Sequence, residues 1–294
     1  LDVHLQLVER DIVIDGHKVS VYCHCLTTDG NGKVKLKRLA EFMRHAAADY
    51  AIPRTRIEEA RERDAKFRST SAIAALHEKA RAVFTDLAKT GEGGEMLLFL
   101  LAERFLGIPH VLCKMDLKTD SRMHYHGADG VYASVSDDGK LKLFWGESKV
   151  YKDPTDAIRD CLSSLAPFLI EEDHLGSSRE RDLVLLSDKA DLGDPELSAA
   201  FRRFFDTSSP MSNRVEYCGV ALVGFDADFY PEDDGHGVLE DIVNAAKKGI
   251  EGWSTSVGRR LTEEKLQHFD IHFLCLPLPS VDKFREAFLE AMGR

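Results

Sequence analysis

The sequence predicts an α/β protein with a mostly helical N-terminal region. Three observations carry this. Two long alternating patterns, at about 123–135 and 141–151, flank the turn signal Asp137-Asp138-Gly139. The apolar run Met96-Leu97-Leu98-Phe99-Leu100-Leu101-Ala102 ends in charge and is too short to span a bilayer, so it reads as a buried helix. Beyond residue 210, strand patterns (215–225, 270–276) alternate with helical ones (238–251, 281–292), as in an open sheet covered by helices.

In chain order, residues 1–28 read as strands, the clearest being Val19-Ser20-Val21-Tyr22-Cys23-His24-Cys25-Leu26 after the Asp15-Gly16 turn signal. Residues 34–50 look helical and stop before Pro53; 54–67 form a charged helix. Ser69-Thr70-Ser71 is an N-cap cluster for a helix over 72–88. Gly91-Glu92-Gly93-Gly94 reads as a break, followed by the apolar helix at 95–106, which Gly107 and Pro109 end. His110–Met115 is a short strand, and Asp153-Pro154-Thr155 opens a helix over 155–170. The α/β core is expected over 90–294, with 1–89 as a strand and helix region ahead of it.

Composition narrows the class. With 294 residues, 44% hydrophobic and 30% charged, the chain can bury a large core, which argues against disorder. The N-terminus lacks the basic and apolar segments of a secretory signal. The six cysteines are scattered through apolar runs. Cys23-His24-Cys25 has no second Cys/His pair to complete a zinc site, so buried free thiols in a reducing cytoplasm are expected. The net charge of -11 is unusual for a stand-alone DNA binder. It is uneven, however: basic residues gather at Lys33–Arg44 and Arg54–Arg68, acids at Glu171–Asp173 and Asp226–Asp234.

The chemistry lies in the strand pair. Alternation puts Leu141, Leu143, Trp145, Glu147, Lys149 and Tyr151 on one face, so a carboxylate and an ammonium continue an apolar stripe. A three-residue turn with Gly139 in the left-handed region makes Ser136 face Lys140 and sets Asp129 opposite Glu147. Directly opposed residues have Cβ atoms roughly 4.5–5.5 Å apart, so the two carboxylates repel unless a cation joins them. Hard oxygen ligands favour magnesium or manganese. A two-residue turn would shift the register and move Asp129 to the other face. Glu95, in the first turn of the apolar helix, suits a third carboxylate, although a helix N-terminus favours an acid on its own account. Structural readings stand beside these: Asp129-Gly130 as a turn, and Glu147 with Lys149 as an ion pair on an exposed edge.

Taken together, Glu95, Asp129 and Glu147-Ser148-Lys149 resemble the PD-(D/E)XK nuclease superfamily. More narrowly, Gly94-Glu95, His126-Gly127-Ala128-Asp129-Gly130-Val131 and Trp145-Gly146-Glu147-Ser148-Lys149-Val150-Tyr151 resemble the HamA nuclease family of the Hachiman anti-phage system and its AbpA-type relatives. The resemblance is sharp over about 90–170. It implies a restriction-endonuclease-like core, a mixed central sheet flanked by helices. It implies Asp129, Glu147 and Lys149 as catalytic residues and Glu95, Asp129, Glu147 and Ser148 as ligands of Mg2+ or Mn2+. It implies DNA cleavage, a HamB-type helicase subunit as partner and no membrane. Ala128 stands where the superfamily often has proline, a departure it tolerates. On this reading residues 1–89 are a candidate contact for DNA or a partner. The alternatives are a regulatory or binding subunit of a helicase complex on a catalytically inactive nuclease fold, and an RNase toxin. His124, His126, Arg159 and Ser163 are weaker candidates, and Trp145 and Trp253 read as core.

Overall fold

The computed structural model describes residues 1–84, 91–113, 127–170, 177–190, 192, 195–206, 208–232 and 235–293. Its centre is one six-stranded sheet. The strands are β1 (Leu5–Val13), β2 (Val19–Leu26), β3 (Gly130–Val135), β4 (Leu141–Val150), β5 (Val215–Asp226) and β6 (Ile271–Leu278), in the spatial order β1-β2-β6-β5-β4-β3. The inner four are parallel, and each edge strand is antiparallel to its neighbour. The four inner strands are therefore covered on both faces, and their burial is nearly continuous rather than alternating. The first two strands, from the N-terminal region, belong to this same sheet: β2 pairs with β6.

The helices are α1 (Leu36–His45), α2 (Ala47–Ala51), α3 (Arg54–Phe67), α4 (Ser71–Ala82), α5 (Glu92–Arg104), α6 (Pro154–Ile170), α7 (Ser178–Lys189), α8 (Pro195–Arg202), α9 (Leu239–Glu263) and α10 (Val281–Met292). One face of the sheet is packed by α5, the other by α6 and α9. Trp145 stacks on Phe168 of α6, and Phe225 meets Trp253 of α9. Both tryptophans pack as expected, Trp145 fully buried and Trp253 partly. All six cysteines are free thiols, five of them buried. No helix among the described residues is long and apolar enough to cross a membrane.

Several boundaries differ from the sequence expectation for local physical reasons. The glycine-rich segment before Glu95 is not a break: Gly93 and Gly94 lie inside the first turn of α5. A Cβ on Gly94 would come within 2.9 Å of Val150 and 3.2 Å of the Ser148 hydroxyl, so its absence lets the helix lie against β4. The start of α4 is capped by two groups: Ser69 of the Ser-Thr-Ser cluster accepts from Ser71 N at 3.0 Å, and the carboxylate of buried Asp64 of α3 accepts from Ala72 N and Ile73 N at 3.0 and 2.9 Å. The pattern at 34–50 is two helices meeting at Ala46, and α9 runs a further three turns beyond 251. His110 makes an isolated bridge to Tyr132, with no strand at 110–113.

Candidate active site

The β3–β4 hairpin has the register that the turn chemistry predicts. Gly139 has φ +73°, Gly139 N donates to Ser136 O at 2.8 Å, and Ser136 N donates to Lys140 O at 2.9 Å. Gly130 pairs with Gly146, and Asp129, one step past the end of β3, donates its backbone N–H to Gly146 O at 2.8 Å. Asp129 is therefore level with Glu147. Both glycines make room for the fully buried Tyr132: a Cβ at Gly130 would come within 2.6 Å of its hydroxyl, and one at Gly146 within 2.9 Å of its ring.

Beside Asp129 and the last residues of β4 lies a cleft. It is lined by Glu95, Asp129, Ser148, Lys149, Tyr151 and Arg285, among others. The acids reach it from different directions. Glu95 projects from the first turns of α5 and accepts a hydrogen bond from the Tyr50 hydroxyl at 3.1 Å. Burial, reinforced by the Glu95 charge, pushes the Tyr50 phenol well above its ordinary value, so it stays a proton donor. The Asp129 carboxylate is fixed by Ser148: Oδ2 accepts from both the Ser148 N–H and its hydroxyl, each at 2.8 Å. Its Oδ1 has no hydrogen-bond partner among the described residues.

Glu147 and Lys149 occupy the other parity of β4. Trp145, two residues before Glu147, stacks on α6, and Cys161 of α6 donates its thiol to Glu147 O at 3.4 Å. Ser148 and Val150 instead face Gly94 of α5. Glu147 is buried and is held by Lys149 Nζ at 3.0 Å. Burial by itself would depress the Lys149 ammonium, but the Glu147 and Asp129 charges outweigh it and raise it above the ordinary lysine value. Asp129 sits at the sheet edge, where its charge reaches both faces: Tyr50 and Tyr132 feel it on one, Lys149 and Cys161 on the other.

The structure thus brings Glu95, Asp129, Ser148 and Lys149 to one cleft, while Glu147 lies behind Lys149 and does not line it. Among the described residues no three His, Cys, Asp or Glu side chains group closely enough to hold a metal by themselves. His124 and His126 fall outside the described residues. Arg159 is exposed and occupied by Asp156 and Asp160 at 2.6 and 2.8 Å, and Ser163 is exposed on the same helix; neither lines the cleft. Tyr50 and Arg285 were not foreseen. Each arrives from an element distant in sequence, and no local pattern marks either. A family model described as HamA matches residues 2–292 of the chain. No curated protein matches it.

Proposed function

The chain belongs to the HamA family, which points to a component of the Hachiman defence system, and from that premise we propose that it is a metal-dependent DNA nuclease working with a HamB-type helicase partner. The observation that carries this reading is the convergence of Glu95, Asp129, Ser148 and Lys149 on one cleft at the end of β4. Paired acids and a cation at the open end of a buried strand cost free energy that packing alone does not repay.

The donor set suits a hard divalent ion. Magnesium is commonly held by one or two carboxylates, with water and substrate phosphate oxygens completing its shell. Glu95 and Asp129 provide the two carboxylates in this cleft, with the free Oδ1 of Asp129 available and Ser148 beside it. What magnesium or manganese supplies when bound is Lewis acidity toward a phosphodiester. The remaining roles belong to the chain. Ser148 orients Asp129 through two hydrogen bonds, and Tyr50 orients Glu95 through one. Lys149, raised above its ordinary value, stays protonated at neutral pH. It therefore acts not as a base but as a donor to charge growing on the phosphate oxygens. Glu147 holds that ammonium in place. For Glu147 to bind the metal as well, its carboxylate must leave Lys149 and swing around the sheet edge.

A chain of net charge -11 is poorly suited to find DNA alone, which supports delivery by the helicase. The test is cleavage of DNA and RNA by the chain, with and without its partner, in magnesium, manganese or EDTA. The expected result is DNA cleavage lost in EDTA and reduced about 10²–10³-fold in Lys149→Ala. Intact DNA under every condition, or unchanged activity in both Lys149→Ala and Glu147→Ala, overturns the reading. Cleavage restricted to RNA moves the substrate class.

A further inference from the structure

We propose that Arg285 binds a backbone phosphate of the nucleic acid, a second cationic contact in the cleft alongside Lys149. The inference rests on the nuclease reading above. Arg285 lies in the first turns of α10 and lines the same cleft as Glu95, Asp129 and Lys149. Its backbone is well fixed. Asp226 Oδ1 accepts from Val281 N at 2.6 Å and Ser280 Oγ from Lys283 N at 3.3 Å, so the helix start is capped twice. On either side of it in the helix, Phe284 and Phe288 are buried against Gly93 of α5.

The guanidinium is oriented but only weakly paired. Its Nη2 donates to Val150 O, at the end of β4, at 2.7 Å. The nearest carboxylate, Asp282, gives it only a long contact of 3.7 Å, because Lys152 holds the other Asp282 oxygen at 2.6 Å. A guanidinium carries five N–H donors, so most of the fork has no partner among the described residues. The other cation of the cleft is committed: Lys149 already pairs with Glu147. An arginine held by one carbonyl, with donors to spare and its charge met only by a long contact that Asp282 shares with Lys152, matches the bidentate geometry of a phosphate. Its attachment to Val150 also ties any phosphate it binds to the strand that carries Ser148 and Lys149.

The test uses the full chain at high concentration and a labelled DNA duplex in EDTA, where nothing is cut, starting at low salt so that weak binding is read, and measures affinity as salt is raised. Arg285→Gln keeps an N–H donor for Val150 O and removes the charge; Arg285→Lys keeps the charge. The expected result is that Gln weakens binding roughly tenfold. It should also lower the slope of log affinity against log salt by about one, while Lys retains the slope. An unchanged slope in the Gln variant overturns the inference, because a purely structural arginine would be replaced by that hydrogen bond. So does an absence of salt-dependent binding by the native chain. Failure of this binding test is distinct from failure of the nuclease reading, which is judged on cleavage by native and Lys149→Ala protein in magnesium.

Discussion

The ends of β2 and β4 occupy the same level of one sheet and are filled in opposite ways. Across the four parallel strands, one lateral row reads Val21, Phe273, Ala221, Glu147, and the row two residues on reads Cys23, Cys275, Val223, Lys149. All three strands other than β4 supply small or apolar groups at these levels, and Cys23 and Cys275 are buried thiols that desolvation pushes upward and so keeps neutral. Only β4 contributes charge. Glu147 is as enclosed as its row neighbours, at 4% exposure. Packing therefore does not call for Glu147 and Lys149, since three neighbouring strands meet the same demand without ions. Ionic groups at a buried level persist where they are paired and where they are used. Here they stand beside Asp129 at a cleft that Ser148 and Lys149 of β4 help to line.

The strongest way to break this contrast is to give β4 an end like that of β2. The double substitution Glu147→Leu with Lys149→Met replaces the ion pair by apolar side chains of similar size. Cleavage should fall by at least about 10²–10³-fold, the scale of losing a preorganised charge at a phosphate. The fold should keep its stability or gain up to about 1–4 kcal/mol, because a buried pair exchanged for apolar contacts is often neutral or favourable. Cleavage assays and denaturant melts on the same preparation read both. Retained cleavage would remove the chemical role of the pair. A large loss of stability would mean that packing needs it, and the contrast between the two strands would then lose its meaning.

The second test concerns the other strand end, where burial must keep a polar group neutral. His24 of β2 is buried edge-on against Phe105, and its Nδ1 has no partner among the described residues. Burial lowers its pKa from 6.5 to about 4. The unfolded chain takes up the proton first, at its ordinary value near 6.5. Between pH 6.5 and 4 the unfolded state thus binds more protons, and stability declines as the pH falls through that window. The depression corresponds to about 3 kcal/mol, fully present above pH 6.5 and lost by pH 4. Denaturant midpoints across this range should show the decline, and His24→Phe should flatten it. An equally steep decline in the variant would assign the acid sensitivity to other groups.

The sequence made the β4 site legible more readily than it made the sheet. The turn residues Asp137-Asp138-Gly139 fix the register of β3 on β4, and with it the level of Asp129 opposite Glu147. Local patterns also located α3 and α10 to the residue and β5 nearly so. The parallel pairing of β2 with β6 joins segments some 250 residues apart, and no local signal encodes it. The same limit hid Tyr50 and Arg285, which enter the site through packing of α2 and α10. Simple alternation also misled about direction. It assigns Asp129 the face of Glu147 and Lys149, yet Asp129 lies beyond the last paired residue of β3, and its carboxylate turns instead to Ser148. Ser148, which the family resemblance implied as a metal ligand, is the residue that holds the aspartate.

That exchange supplies the smallest and sharpest prediction. Ser148 shares a lateral row with Tyr22, Leu274 and Leu222, so at its level it is the only small polar side chain among large ones. Its hydroxyl is buried and satisfied by Asp129 Oδ2 at 2.8 Å. Ser148→Ala removes that bond but leaves the backbone N–H of residue 148 still donating to the same oxygen. Losing one of two charge-assisted bonds should let the carboxylate rotate without releasing it, a cost of about 1–2 kcal/mol. Cleavage should fall roughly tenfold, and the melting midpoint should hardly move, because no buried donor is left unpaired. The loss should appear in kcat rather than in KM, since Ser148 holds a chain carboxylate and not the substrate. Unaltered cleavage would show that the backbone N–H alone is sufficient to orient Asp129. A loss confined to KM would instead put the Ser148 hydroxyl on the nucleic acid, and the division between the two faces of β4 would have to be drawn again.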